Sequence, residues 1–135
     1  MRALFLLACC LLMGAAALAQ AMSDRAVSRE LRELVTRAAD LSGACVTEIE
    51  ETGAQGDACA DFRAFLTRTA DKRRRYRRRV DRAARRITRD FTEQTLGFTT
   101  LESAEQAILD NRAAAQAARQ RLRTNRRRID KLAGD

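Results

Sequence analysis

Apolar residues recur along most of this chain at alternating steps of three and four, in three successive runs. The first run consists of Val27, Leu31, Leu34, Ala38, Leu41 and Cys45. The second run consists of Cys59, Phe62, Leu66, Thr69, Arg73, Tyr76, Val80, Ala83 and Ile87. The third run consists of Leu101, Ala104, Ile108, Asn111, Ala115, Ala118, Leu122, Asn125, Ile129 and Leu132. This spacing is a heptad pattern, which keeps one stripe of each helix against a partner helix.

The residues between the runs are typical of helix ends. A pair of glycines precedes Asp57, whose side chain can cap the first turn of a second helix. Gly97 can end that helix in a left-handed conformation. Thr99 and Glu102 have the spacing of a capping box for a third helix. The chain contains no proline, and the first helix is expected to bend or weaken at Ser42-Gly43.

The sequence therefore predicts an all-α protein with helices at about 23–50, 58–95 and 100–132. Because short connections make consecutive helices antiparallel, the second and third helices would form a hairpin over residues 58–132. The first helix, being shorter, would pack on the base of that hairpin. We expect a three-helix, coiled-coil-like bundle at the base and a two-helix arm that ends at Gly97.

Four polar residues occupy positions of the seam that would ordinarily be apolar: Thr69, Arg73, Asn111 and Asn125. In coiled coils such residues fix the alignment of the helices at a cost in stability, and we favour this interpretation. The alternative is a concealed partner surface or a homo-oligomer interface along the hairpin.

The first 19 residues have the features of a secretory signal peptide. Arg2 provides a positive start, the apolar run ALFLLACCLLM follows, and Ala-Leu-Ala ends at residue 19. This pattern predicts cleavage between Ala19 and Gln20. Residues 20–135 would then form one α-helical domain in the bacterial periplasm or outside the cell.

Two alternatives to cleavage at Ala19 are less favoured. The segment could be an uncleaved anchor, although its apolar run is shorter than the ~20 residues of a spanning helix. The sequence LLAC could instead be a lipobox with Cys9 as the lipidated residue, although this would leave a very short apolar region before the cleavage site.

Cys45 and Cys59 are the two cysteines outside the signal sequence. A single pair in an exported chain predicts one disulfide bond, worth about 3 kcal/mol in the chain-entropy model. A metal site is not expected, because the chain has no histidine and two cysteines are too few ligands.

Basic residues are concentrated in DKRRRYRRRVDRAARR, residues 71–86, in a chain whose net charge is +8 at pH 7. On the heptad of the second helix they take the outward positions. We name this set the basic collar: Lys72, Arg74, Arg75, Arg77, Arg78, Arg79, Arg82, Arg85, Arg86 and Arg89.

A collar of this kind attracts polyanions. In an exported protein, the expected partners are an acidic protein or the anionic surface of the envelope. Nucleic acid is a weaker possibility, because export separates the protein from it and only Tyr76 within the run could stack on bases. The competing interpretation is a solvated helix face whose arginines reflect codon usage and contribute little through surface pairing.

Catalysis is not expected from this sequence. Histidine is absent, and no nucleophile elbow or phosphate-binding glycine loop occurs, so no cofactor is predicted either. The leading hypothesis is an exported, non-enzymatic adaptor or scaffold that uses the basic collar. A periplasmic chaperone-like or stress protein is the alternative, and a polynucleotide-binding protein is a further one.

In size and layout the chain is similar to small periplasmic helical-hairpin proteins, including the LTXXQ-motif chaperones. Neither FTEQTLGF nor LESAEQ supplies that motif. The likeness therefore concerns architecture alone and implies no functional residue.

Overall fold

The computed structural model of the protein consists of three long helices. It describes the backbone of residues 2–94 and 103–134, and the side chains of residues 14–91 and 103–134. In chain order the helices are α1 (Arg2–Thr52), α2 (Asp57–Gln94) and α3 (Ser103–Ala133). No strand occurs in these residues, so the predicted all-α three-helix bundle is confirmed. The predicted cap at Gly97 and the Thr99–Glu102 capping box lie outside the described residues.

The first helix differs from the prediction in length and in position. With 51 residues α1 is the longest of the three, because its Ala- and Leu-rich beginning continues the helix to Arg2. It packs against both of the other helices, whereas α2 and α3 contact each other much less. It also extends along α2 as far as Arg86, which bonds to Asp24. The expected short helix on the base of a two-helix arm is therefore corrected to a central helix flanked by two others.

The contacts of α1 define the directions of its two neighbours. Cys59 is joined to Cys45, and Arg79, further along α2, contacts Asp24, nearer the start of α1. Helix α2 is therefore antiparallel to α1. Helix α3 is parallel to α1, since its residues meet residues of α1 at a constant offset in both halves of the interface.

Two polar pairs lie on the interface between α1 and α3. Asn111 donates to Ser28 Oγ at 3.0 Å, and Asn125 donates to Ser42 Oγ at 2.9 Å. Both pairs span 83 residues of sequence, and they are two heptads apart on each helix. The interpretation of the two asparagines as residues that fix helix alignment is supported, because each meets a polar partner within its own bundle.

The core follows the predicted seams of α2 and α3 at most positions. Its buried members are Leu31, Val35, Ala38, Ala39, Cys45, Ile49, Cys59, Phe62, Val80, Ala83, Ile87, Ile108, Ala115, Ala118 and Leu122. The middle of α2 and the end of α3 are the exceptions, since Leu66, Tyr76, Ile129 and Leu132 are only partly buried.

The turn between α1 and α2 is held by Glu48. Its carboxylate accepts hydrogen bonds from the backbone N–H groups of Gly56, Ala58 and Cys59, at 2.9, 3.1 and 3.0 Å. These bonds to the start of α2 hold the pKa of Glu48 below its ordinary value. Asp57, the predicted N-cap, is instead the first residue of the helix.

The disulfide bond between Cys45 and Cys59 lies beside this turn, with 4.4 Å between the two Cα atoms. Both residues are fully buried. The predicted pairing is confirmed, and it attaches the first turn of α2 to the last turns of α1.

Candidate anion-binding surfaces

The basic collar is spread over three sides of α2. Seven of its members are exposed: Arg74, Arg75, Arg78, Arg82, Arg85, Arg86 and Arg89. The other three, Lys72, Arg77 and Arg79, are half-buried, which corrects the expectation that all ten point outward. Helix α2 touches a neighbour on two flanks, so residues adjacent to the seam turn toward α1 or α3.

Asp24 holds two members of the collar against α1. Its carboxylate accepts from Arg79 Nε at 2.7 Å and from Arg86 at 2.8 Å, while its side chain is only 2% exposed. Burial works to raise the pKa of Asp24, but the hydrogen bonds from Arg79, Gln20 and Arg86 outweigh it and hold the pKa below its ordinary value. These two arginines are therefore largely structural. The role of Asp24 was not predicted from the sequence, although this residue lies one turn before the buried stripe of α1.

Lys72 is also engaged within the bundle. Its ammonium lies 2.9 Å from Glu30 of α1 and 5.3 Å from the centre of the Tyr76 ring. The hydrogen bond with Glu30 raises the pKa of Lys72 and lowers that of Glu30. Glu30 of α1 is thus a counter-charge for the collar, whereas Asp40 of α1 meets Arg121 of α3 at 3.3 Å.

Four arginines form a straight stripe on the side of α2 that faces away from the bundle. They are Arg75, Arg78, Arg82 and Arg85, which we name the outer stripe. Steps of three, four and three place them on one line that covers about 15 Å of the helix. None of the four forms a salt bridge or a side-chain hydrogen bond with another described residue. Exposed neighbours of the stripe do pair, as Arg74 does with Asp71 and Arg89 with Asp90.

A second concentration of positive charge lies between α2 and α3. The two helices separate there and leave an open groove of about 460 Å³. Six guanidinium groups line it: those of Arg73, Arg74, Arg77, Arg119, Arg123 and Arg126. We name this feature the arginine groove. Only Arg74 and Arg77 belong to the predicted collar.

The α3 side of this groove was not predicted from the sequence. Arg119, Arg123 and Arg126 follow one another at steps of four and three, which is the spacing of a single helix face. That spacing was visible in the sequence. What could not be read there was which face of α2 would lie opposite.

Within the described residues, no group of three or more metal-ligating side chains is placed to hold a metal ion. Among those same residues, no helix is long and apolar enough to span a membrane.

The chain matches no protein-family model, no curated protein and no solved structure.

Proposed function

We propose that this protein is an exported, non-enzymatic interaction protein that binds an extended anionic surface through the outer stripe of α2. The surface would be the anionic lipid of the envelope or the acidic face of a partner protein. The observation that carries this proposal is the lack of any acidic partner for the outer stripe among the described residues. Lys72, Arg79 and Arg86 on the flank have such partners, so counter-charges are available within the bundle but are not directed to the stripe.

The outer stripe suits a partner that is recognised by charge rather than by sequence. Its four side chains are all arginines, which pair with carboxylate or phosphate oxygens in a forked geometry. Tyr76 is the one aromatic residue in the sequence of residues 71–86. It is half-buried, and the ammonium of Lys72 lies over its ring. Stacking on nucleic-acid bases therefore has little support, in agreement with an exported protein.

Exposure at the start of α1 supports removal of a signal peptide. Residues 14–20 are all exposed, and the first fully buried side chain of the described part of α1 is that of Asp24. Cleavage after Ala19 would thus remove no described side chain from the core. It would also leave Gln20, which bonds to Asp24 at 3.2 Å, as the first residue of the mature chain.

A chaperone-like role has less support from the surface. Among the described residues, the exposed large apolar side chains are Leu18, Met22 and Phe91. Leu18 would leave with the signal peptide. Two separate side chains do not form the contiguous apolar patch that holds unfolded clients.

Vesicle binding tests the proposal directly. Mature protein, with its first residue established by intact mass, is sedimented with vesicles that contain phosphatidylglycerol or only neutral lipid. We expect binding to the anionic vesicles alone, with a steep loss as salt rises. Replacing Arg75, Arg78, Arg82 and Arg85 by Gln should weaken binding by at least about tenfold while helicity is kept, because these side chains form no salt bridge or hydrogen bond with another described residue.

The matched control removes the same charge from α1. Arg25, Arg29, Arg32 and Arg37 are exposed and form no salt bridge among the described residues, and replacing these four by Gln should have a much smaller effect. Equal losses in the two variants would indicate general attraction by net charge. A mature mass that retains residues 1–19 would contradict the export assignment.

A further inference from the structure

The arginine groove exists because α1 keeps α2 and α3 apart. Both outer helices pack on α1, and they contact each other only slightly. The floor of the groove is formed by Leu31 and Val35 of α1 and Leu122 of α3, all of them buried. The walls are the six arginines. The groove is thus a charged opening above the core, on a different side of α2 from the outer stripe.

Few acids are available to neutralise these arginines. Asp81 of α2, whose charge acts on Arg119, is bonded to Arg112 at 2.9 Å. Asp71 is bonded to Arg74, at the edge of the groove. Arg77, Arg119, Arg123 and Arg126 form no salt bridge with any described residue. The groove therefore gathers more positive charge than the protein itself compensates.

Arg73 is held in place rather than free to swing into solvent. It is half-buried, and its guanidinium donates to Thr69 Oγ1 and to the carbonyl of Leu66, each at 2.9 Å. Burial, followed by the charge of Arg126, lowers the pKa of Arg73. Burial and the charges of Arg77 and Arg123 do the same for Arg119. Like charges held in this way disfavour the empty groove, and a bound anion would relieve that cost.

We infer that the arginine groove is a binding site for a multiply charged oxyanion of the phosphate class, such as a polyphosphate or a phosphorylated lipid headgroup. Guanidinium groups bind phosphate oxygens in bidentate fashion, and six of them line the groove, four without a salt bridge or side-chain hydrogen bond to a described residue. The volume is roughly fifteen times that of a water molecule in the liquid, which is enough for more than one phosphate group. This site is separate from the outer stripe and does not depend on the proposed function.

Tripolyphosphate is a suitable probe, and titration calorimetry of the mature protein at low salt measures its affinity. The groove variant carries Arg119→Gln, Arg123→Gln and Arg126→Gln. Its control carries Arg75→Gln, Arg78→Gln and Arg82→Gln, which removes the same charge from the outer stripe. We expect the groove variant to lose at least about tenfold in affinity and the control to lose no more than about threefold.

The two variants separate this inference from the proposed function. The control should lose binding to anionic vesicles and keep its affinity for tripolyphosphate. The groove variant should keep binding to anionic vesicles and lose affinity for tripolyphosphate. Absence of binding to the wild-type protein would overturn the inference, and so would equal losses in both variants. A second variant carries only Arg123→Gln and Arg126→Gln, two exposed side chains, so it should fold like the wild type. Its affinity for tripolyphosphate should still be lower than that of the control.

A second titration identifies the source of the phosphate. Short-chain phosphatidic acid, used below the concentration at which it forms micelles, presents one phosphate and two acyl chains. Tighter binding of this lipid than of inorganic phosphate would indicate a lipid headgroup above the apolar floor. Equal binding of the two would indicate the phosphate group alone, and either result supports the site.

Discussion

The side-chain amide of Asn111 donates to the hydroxyl of Ser28 across the buried interface between α3 and α1. Ser28 in turn donates to the carbonyl of Arg25 at 2.7 Å, within its own helix. The same arrangement recurs two heptads later, where Ser42 accepts from Asn125 and donates to Ala39. A slip of α3 by one heptad would place Asn111 opposite Val35, whose side chain has no hydrogen-bond acceptor. The two pairs therefore specify the alignment of the parallel helices.

This geometry predicts an asymmetric pair of mutants. Ser28→Ala leaves the buried amide of Asn111 without its partner and should lower the free energy of unfolding by about 1–3 kcal/mol. Asn111→Leu should cost less, because Ser28 keeps its bond to Arg25. The double variant should recover much of the loss caused by Ser28→Ala. Denaturant unfolding measures all three, and a larger loss for Asn111→Leu than for Ser28→Ala would contradict the assignment.

Asp24 predicts a second stability effect. Asp24→Asn removes the charge that Arg79 and Arg86 share, and because both arginines are substantially exposed we expect a loss of only about 1–3 kcal/mol. Asp40→Asn is the control, since its pair with Arg121 is exposed on both sides. Thermal unfolding should show little change for that variant. An Asp24→Asn protein as stable as the wild type would mean that the two arginines gain nothing from α1.

Glu48 predicts a dependence on pH. Its folded-state pKa is lowered, so its contribution to stability is fully present above its ordinary value of 4.5 and is lost as the pH falls through the folded-state pKa. Glu48→Gln should lower the melting temperature at pH 7, and the difference from wild type should shrink at acid pH. Glu51→Gln, at the exposed end of the same helix, is the control. A difference that stays constant with pH would exclude the charged cap.

The disulfide predicts that the mature protein has no free thiol. Reduction, or the double variant Cys45→Ala with Cys59→Ala, should lower the free energy of unfolding by about 3 kcal/mol, since the crosslink closes a short loop of the unfolded chain. Mass spectrometry after alkylation of the unreduced, unfolded protein checks the bond itself. Alkylation of both residues under those conditions would show that the bond is absent.

Much of the fold could be predicted from the sequence. The heptad spacing gives three helices, and it identifies most of the buried residues of α2 and α3, such as Val80 and Ile108. The pairing of Cys45 with Cys59 followed from their being the two cysteines outside the predicted signal sequence. These features depend on local periodicity and on composition, which a single sequence contains in full.

The length and place of α1 could not be predicted in the same way. The predicted helix began near residue 23, because the residues before it have the features of a signal peptide. In the structure the Ala- and Leu-rich residues extend the helix back to Arg2. Asp24 and Ser28 were missed as buried residues because polar side chains carry no hydrophobic signal. Their burial makes sense only when Arg79, Arg86 and Asn111 are brought against them from distant parts of the chain.

The helical class, the disulfide partners and the concentration of arginine on α2 could all be inferred from residue type and position in the chain. Which arginines have an acidic partner depends on how the three helices pack. The packing of the three helices sets Arg79 and Arg86 on Asp24 and brings the arginines of α3 to face those of α2. It leaves the outer stripe with no salt bridge to any residue that the structure describes. A charge is neutralised by the groups that lie within a few ångströms of it in space. For Arg86 of α2 that group is the carboxylate of Asp24, which is 62 positions away in the chain.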